Sequence, residues 1–221
     1  MLFQRKNISC SLSYDRIPLS TPLEDLRFIV FDTETTGFQV ATTDRLIEIG
    51  AVPIKGLEVL EEEHFQTYVN PKRQISREIS DLTSISAEKV VGAPASFEAI
   101  TSFFDFIEKW DTVCLVGHYV SFDSLVLKNE LRREKLNLKN LFTIDTLDLI
   151  GYIAPSYDMR DLEKYAVAFG TRIHKRHSAM GDALTTAYLF IELLWQFKNR
   201  GHHTWGELIN ATESQMRSLP I

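Results

Sequence analysis

Phe28-Ile-Val-Phe-Asp-Thr-Glu-Thr-Thr-Gly37 runs four apolar residues into two carboxylates, Asp32 and Glu34, and leaves through Thr-Thr-Gly. Read as a strand, its period of two puts both carboxylates on one face, side by side. Two like charges at the end of a buried strand repel each other unless a proton or a cation lies between them. A divalent metal relieves that repulsion, and all-oxygen ligands suit Mg²⁺ or Mn²⁺. The stretch therefore predicts a metal site, for which the remaining chain must supply further carboxylates and a base.

The 221 residues suffice for one substantial domain with small extensions. Hydrophobic content of 44% with 24% charged residues predicts a folded chain rather than a disordered one. A net charge of −6 argues against a protein that coats nucleic acid through a broad basic surface. It leaves room for an enzyme that neutralises phosphates locally. Cys10 and Cys114 stand far apart, without zinc-ligand spacing, and are expected as free thiols of a reducing compartment. Arg5, Lys6, Asp15, Arg16 and Pro18 break the first 25 residues, so no signal-peptide core is expected there. No run approaches the ~18 apolar residues of a membrane helix. The expectation is a soluble, cytoplasmic protein with no membrane partner.

Working outward from the opening stretch, residues 1–25 form an N-terminal arm, 26–199 the domain and 200–221 a C-terminal helical extension. Strands are predicted over 26–33, 46–54 and 59–69, the last two joined by a Lys55-Gly56 turn, which makes an antiparallel meander. Ser96 opens a helix with Phe97, Ile100, Phe103 and Ile107 on one face. Residues 112–117 read as a strand buried on both sides, and Ser121 as the cap of a following helix. A short strand at 142–146, a helix over 160–169 stopped by Gly170, a long helix from Ala179 and a last one over 205–217 complete the pattern. The fold class is α/β: three meandering strands, then alternating helices and strands, in one mixed sheet with flanking helices.

Two more segments place ionisable groups where a core pattern does not ask for them. Gly117-His118-Tyr-Val-Ser-Phe-Asp123 follows a buried strand and puts Asp123 in the first turn of a helix. Taken alone, Asp123 complements the helix dipole, an effect under about 1 kcal/mol. His177 and Asp182 lie five apart across the start of the long helix, where a lone His is commonly a surface residue or cap. Jointly, Asp32, Glu34, Asp123 and Asp182 all sit at strand ends or helix openings, where sites of α/β sheets assemble. Four carboxylates suit two divalent ions about 3.5–4 Å apart, the clamp used for phosphodiester hydrolysis. An imidazole with a pKa near ~6.5 suits the proton of an attacking water.

These three motifs, Asp32-Thr-Glu-Thr-Thr-Gly37, Gly117-His118…Phe122-Asp123 and His177-Ser-Ala-Met-Gly-Asp182, resemble those of the DnaQ-like 3′–5′ exonucleases, in the histidine (DEDDh) branch. Arg45-Leu-Ile-Glu-Ile-Gly50, Leu82-Thr-Ser-Ile-Ser86 and Ile144-Asp-Thr-Leu-Asp-Leu149 are similar to the family's intervening segments, so the match covers about residues 27–197. The resemblance implies an RNase H-like fold and hydrolysis with two Mg²⁺ or Mn²⁺ ions from a 3′ end, releasing nucleoside 5′-monophosphates. It implies Asp32, Glu34 and Asp182 as ligands of one ion, Asp123 with a shared Asp32 as ligands of the other, and His177 as general base. Thr35, Thr36 and Gly37 would line the terminal nucleotide. Leu46 and Ile49 would meet its base or sugar, and His118 and Phe122 would flank the strand path. Tyr119, where many members carry Asn, and Ser84, where Gly is commoner, depart from the pattern.

The implied partner is nucleic acid with a free 3′ end, single-stranded DNA foremost and RNA as the alternative. The family includes the proofreading subunit or domain of bacterial DNA polymerase III, which adds a DNA polymerase as partner. The final Gln215-Met-Arg-Ser-Leu-Pro-Ile221 faintly resembles a sliding-clamp-binding peptide with one residue too many. Arg172, Lys175 and Arg176, beside the proposed base, are candidates for phosphate contacts. The competing function is an exonuclease-like adaptor that binds a polymerase, against which all five catalytic groups being present weighs.

Overall fold

The structure is a computed structural model that describes residues 6–139 and 141–216, with side chains as far as 212. Its centre is a mixed sheet. Strand β2 (Arg27–Thr35) lies between β3 (Leu46–Lys55), antiparallel to it, and β6 (Cys114–Gly117), parallel to it. Strand β8 (Thr143–Asp145) adds in parallel beyond β6, while β4 (Glu58–Val59) and β5 (Phe65–Tyr68) pair in turn with the outer edge of β3. Gly56 and Leu57 form the β3–β4 turn, both at φ near +60°, the two-residue hairpin turn whose twist suits antiparallel strands.

The strand expected over 59–69 is therefore two short strands. Between them the consecutive residues Glu61–Glu63 form one turn of 3₁₀ helix. Three adjacent carboxylates supply no alternating apolar face to hold a strand against the core.

Helices cover both faces of the sheet. Helix α1 (Arg77–Thr83) and α2 (Ala87–Val91) close a small cluster over Ile47, and α3 (Ser96–Lys109) and α4 (Val120–Arg133) pack on one face. Helix α5 (Thr146–Ile153), α6 (Leu162–Ala168), α7 (Ala179–Asn199) and α8 (Trp205–Met216) build the other. The strand period sorts the core. Phe28, Val30, Val52 and Ile54 point to the α7 side, and Ile29, Phe31, Ala51 and Leu115 to the α3–α4 side.

The arm contributes strand β1 (Lys6–Ser9), which pairs in parallel with β7 (Leu136–Lys139). Neither strand is evident from the sequence pattern. Leu23 and Trp205 are fully buried in the same core as Phe28, and backbone bonds join Leu23 to His203 and Trp205 to Thr21. Residues 217–221 of the clamp-like peptide lie outside the described residues. Cys10 and Cys114 are free and buried; burial pushes the Cys10 thiol up to about 12 and raises Cys114 as well. No helix among the described residues is long and apolar enough to cross a membrane.

Candidate active site

The end of β2 divides its polar residues between the two helical layers. Phe28 and Val30 face α7, so Asp32 and Glu34 continue that face, while Thr33 faces α4. Helix α7 brings Asp182 in its first turn onto the Asp32–Glu34 face. Carboxylate oxygens of Asp32, Glu34 and Asp182 all lie within 4.8 Å of one another. Withdrawal from water, followed by the charges of Asp123, Asp182 and Glu34, raises the Asp32 carboxyl well above the usual range. Withdrawal from water, then Asp182, Glu48 and Asp123, pushes Glu34 up to about 8. Asp182 is raised by burial, against the opposing Arg176 guanidinium that contacts it.

Asp123 reaches the strand from its other side. Thr33 donates both its backbone N–H (2.9 Å) and its hydroxyl (2.6 Å) to Asp123, and both bonds fall on Oδ1. The carboxylate is 3% exposed, and burial pushes it up to about 7 despite those bonds. Asp123 is thus held at the strand but outside the three-carboxylate cluster, while its charge is felt at Asp32 and Glu34. The His177 side chain is exposed at the mouth of the site; its backbone N–H donates to Asp182 Oδ2 at 3.1 Å, and its φ is +57°.

The other expected contact residues divide. Thr35 and Thr36 are buried, Thr35 bonding Gly37 O at 2.7 Å and Thr36 bonding Asp44 Oδ1 at 2.9 Å. Gly37 has φ +151°, and a Cβ there would stand 2.6 Å from Asp44 Oδ2, so this turn needs glycine. Phe122 is half-buried, with its ring 5.9 Å from that of the exposed Phe38. His118 bonds Thr146 Oγ1 through Nδ1 at 2.8 Å, and burial lowers its pKa to about 4. Leu46 and Ile49 are 1% and 0% exposed, packed in the core beneath α3 and α4.

The basic loop is also more committed than its sequence suggests. Arg172 bonds Glu61 and the Tyr188 hydroxyl and lies over the Tyr188 ring, Arg176 contacts Asp182, and Lys175 is exposed. Ser121 does not cap α4. That helix starts at Val120 with Tyr119 as its cap position, two residues earlier, and the Asp145 carboxylate accepts from the amides of Tyr119 (3.1 Å) and Val120 (3.0 Å), as well as from Leu147 (3.0 Å). One side chain at the end of β8 therefore caps both α4 and α5. Asp44 has a similar hidden role in the loop after β2, where Thr36, the Gln39 amide and Arg73 converge on it. The sequence signal for both was weak: an Asp before a helix and an Asp in a polar loop.

The residues present fit a divalent cation. Three oxygen donors converge, each raised above its ordinary pKa by burial and, for Asp32 and Glu34, by neighbouring carboxylates, with Arg176 as the single contacting cation among the described residues.

An exonuclease family model, of RNase T type, matches residues 29–190. The PolC-type DNA polymerase III of Caldanaerobacter subterraneus subsp. tengcongensis is 31% identical over 214 residues, covering 94% of this chain and 15% of the polymerase. The PolC-type polymerase of Staphylococcus aureus is 29% identical over 206 residues, covering 92% and 14%. The chain thus spans about a seventh of the length of these relatives. Among solved structures, the nuclease domain of 3′hExo, a DEDDh family member bound to rAMP, superposes with a TM-score of 0.69 at 19% identity, covering 79% of this chain and 94% of that one. Exonuclease X, in complex with 5′-overhanging duplex DNA, gives 0.64 at 20% identity, covering 84% and 99%. The chain belongs to the exonuclease family, as a nuclease domain with the RNase H-like fold of the DEDDh enzymes.

Proposed function

We propose that this domain removes nucleotides one at a time from the 3′ end of single-stranded nucleic acid, DNA foremost, releasing nucleoside 5′-monophosphates. The observation that carries this reading is the convergence of Asp32, Glu34 and Asp182 from two elements onto one point of unbalanced charge. Asp32, Glu34 and Asp182 would hold one Mg²⁺ or Mn²⁺, and Asp123, whose Oδ2 is left free by the Thr33 bonds, would hold a second with Asp32. When bound, the ions supply Lewis acidity to the water and neutralise charge on the phosphodiester.

The chain's own groups do the rest. His177, exposed at the lip, takes a proton from the water as its oxygen bonds to phosphorus. The bond from phosphorus to the 3′-oxygen of the preceding nucleotide breaks, and that oxygen takes a proton from solvent. The turn at Thr35–Gly37, knitted by Asp44, shapes the place of the terminal nucleotide, and Phe122 with Phe38 walls its path. Similarity to a segment of PolC-type polymerases supports a role in proofreading, with a polymerase as partner.

The test is a time course with Mg²⁺ or Mn²⁺ on 3′-labelled single-stranded DNA, mismatched duplex and short RNA. EDTA and Asp32→Ala should each abolish release of monophosphates. Near-normal turnover by Asp32→Ala would refute the metal assignment, and preference for RNA would redirect the substrate.

A further inference from the structure

Helix α7 carries Asp182 and follows directly on His177, so its seating decides whether the site assembles. Its N-cap, Ser178, makes no side-chain capping bond. The first helical amide, of Ala179, instead donates to Glu48 Oε2 of strand β3 at 2.9 Å. Glu48 is 1% exposed, and its other oxygen accepts from Gln66 Nε2 of β5 at 2.6 Å. It stands directly opposite Glu34 in the β2–β3 register, and Gly50, two residues on, stands opposite Asp32. A Cβ on Gly50 would collide with the Met180 amide and the Ala179 carbonyl, so the backbone of the first α7 turn rests on the bare strand there.

Resting on the nuclease reading above, we infer that Glu48 is a positioning residue. By capping α7 from the sheet, it holds Asp182 and His177 in place over Asp32 and Glu34. Gly50 gives the clearance, Glu48 the tether, and Gln66 fixes the carboxylate that forms it. Without that tether the Ala179 amide would lose its partner and the helix end would have no fixed distance to the sheet. The tether removes both problems with one side chain, from a strand that also flanks the metal ligands.

Two near-isosteric substitutions separate this role from a direct electrostatic one. Glu48→Gln keeps the reach to the Ala179 amide and loses the charge. Glu48→Asp keeps the charge and loses the reach. Mn²⁺ binding is read by the loss of free-ion paramagnetic resonance signal, and kcat and KM are read on a short 3′-labelled oligonucleotide. Positioning predicts that Glu48→Asp weakens Mn²⁺ binding about tenfold and lowers kcat, with KM little changed, while Glu48→Gln stays within about threefold of the parent. The reverse order, or an unchanged Glu48→Asp, overturns the inference. Mn²⁺ binding by the parent chain without hydrolysis would instead count against the nuclease reading, and leaves the order of the two variants to decide this one.

Discussion

Glu130 and the Asp32–Glu34–Asp182 cluster, all withdrawn from water to some degree, are treated in opposite ways. Glu130 on α4 is 1% exposed and surrounded by donors: Arg45 Nε and Nη2 at 2.8 Å, Arg133 Nη1 at 3.2 Å and the Leu46 amide at 3.3 Å. Burial works to raise this carboxyl, yet the Arg45 and Ser96 hydrogen bonds and the Arg45 charge hold it below its ordinary value. Asp32, Glu34 and Asp182 gather with one contacting guanidinium among the described residues, and all three are raised. A buried acid with its cations built in serves the fold. A cluster short of cations keeps unbalanced charge in the folded chain.

That contrast is open to direct attack. The largest effect is expected at the mouth of the three-carboxylate cluster, where His177→Ala should lower the hydrolytic rate by about 10²–10⁴ as a lost general base. Because His177 is exposed, its melting temperature should not move; a rate within tenfold of the parent would remove it from the chemistry. Glu130→Gln should do the opposite. It removes the charge that pairs with Arg45 and Arg133 and should cost about 3 kcal/mol in urea unfolding, at the low end for a broken buried pair because Arg45 is 23% exposed. Hydrolysis per folded molecule should stay close to the parent's. A stability unchanged by Glu130→Gln would erase the distinction.

A third effect concerns pH. Glu34 is raised from 4.5 to about 8 in the fold, so its contribution to stability is complete below about pH 4.5 and is lost as the pH rises through about 8. Melted in EDTA, the parent should therefore lose stability over that window relative to Glu34→Gln, and Mn²⁺ should return it. Parallel melting curves for the two proteins would show that burial and the neighbouring carboxylates do not raise Glu34.

Much of the site was legible because its chemistry is written in residue type and local period. The alternation of β2 predicts that Asp32 and Glu34 share a face, and the apolar run before Gly117 predicts a buried strand whose end presents a helix with Asp123. Long-range contacts were not legible. Leu46 and Ile49 lie in a segment that resembles the family's second strand, yet α3 and α4 cover them, and the meander expected at 59–69 breaks at Glu61–Glu63. The caps supplied by Asp145 and Glu48 lie 26 and 131 residues from the amides they bind.

The sequence by itself carried the family, since the motifs around Asp32, Asp123 and Asp182 resemble those of exonucleases and the family model matches residues 29–190. It also determined the layered α/β architecture, through the periods of its apolar residues. Only the tertiary structure decided which face of β2 each carboxylate meets, with Asp182 reaching one side and Asp123 the other. It alone revealed that α7 is tied to the sheet through Glu48, and that Leu23 and Trp205 close the core from opposite ends of the chain. The physical reason is the same in each case: periodicity records what a residue's near neighbours do, while a hydrogen bond across the sheet leaves no local trace.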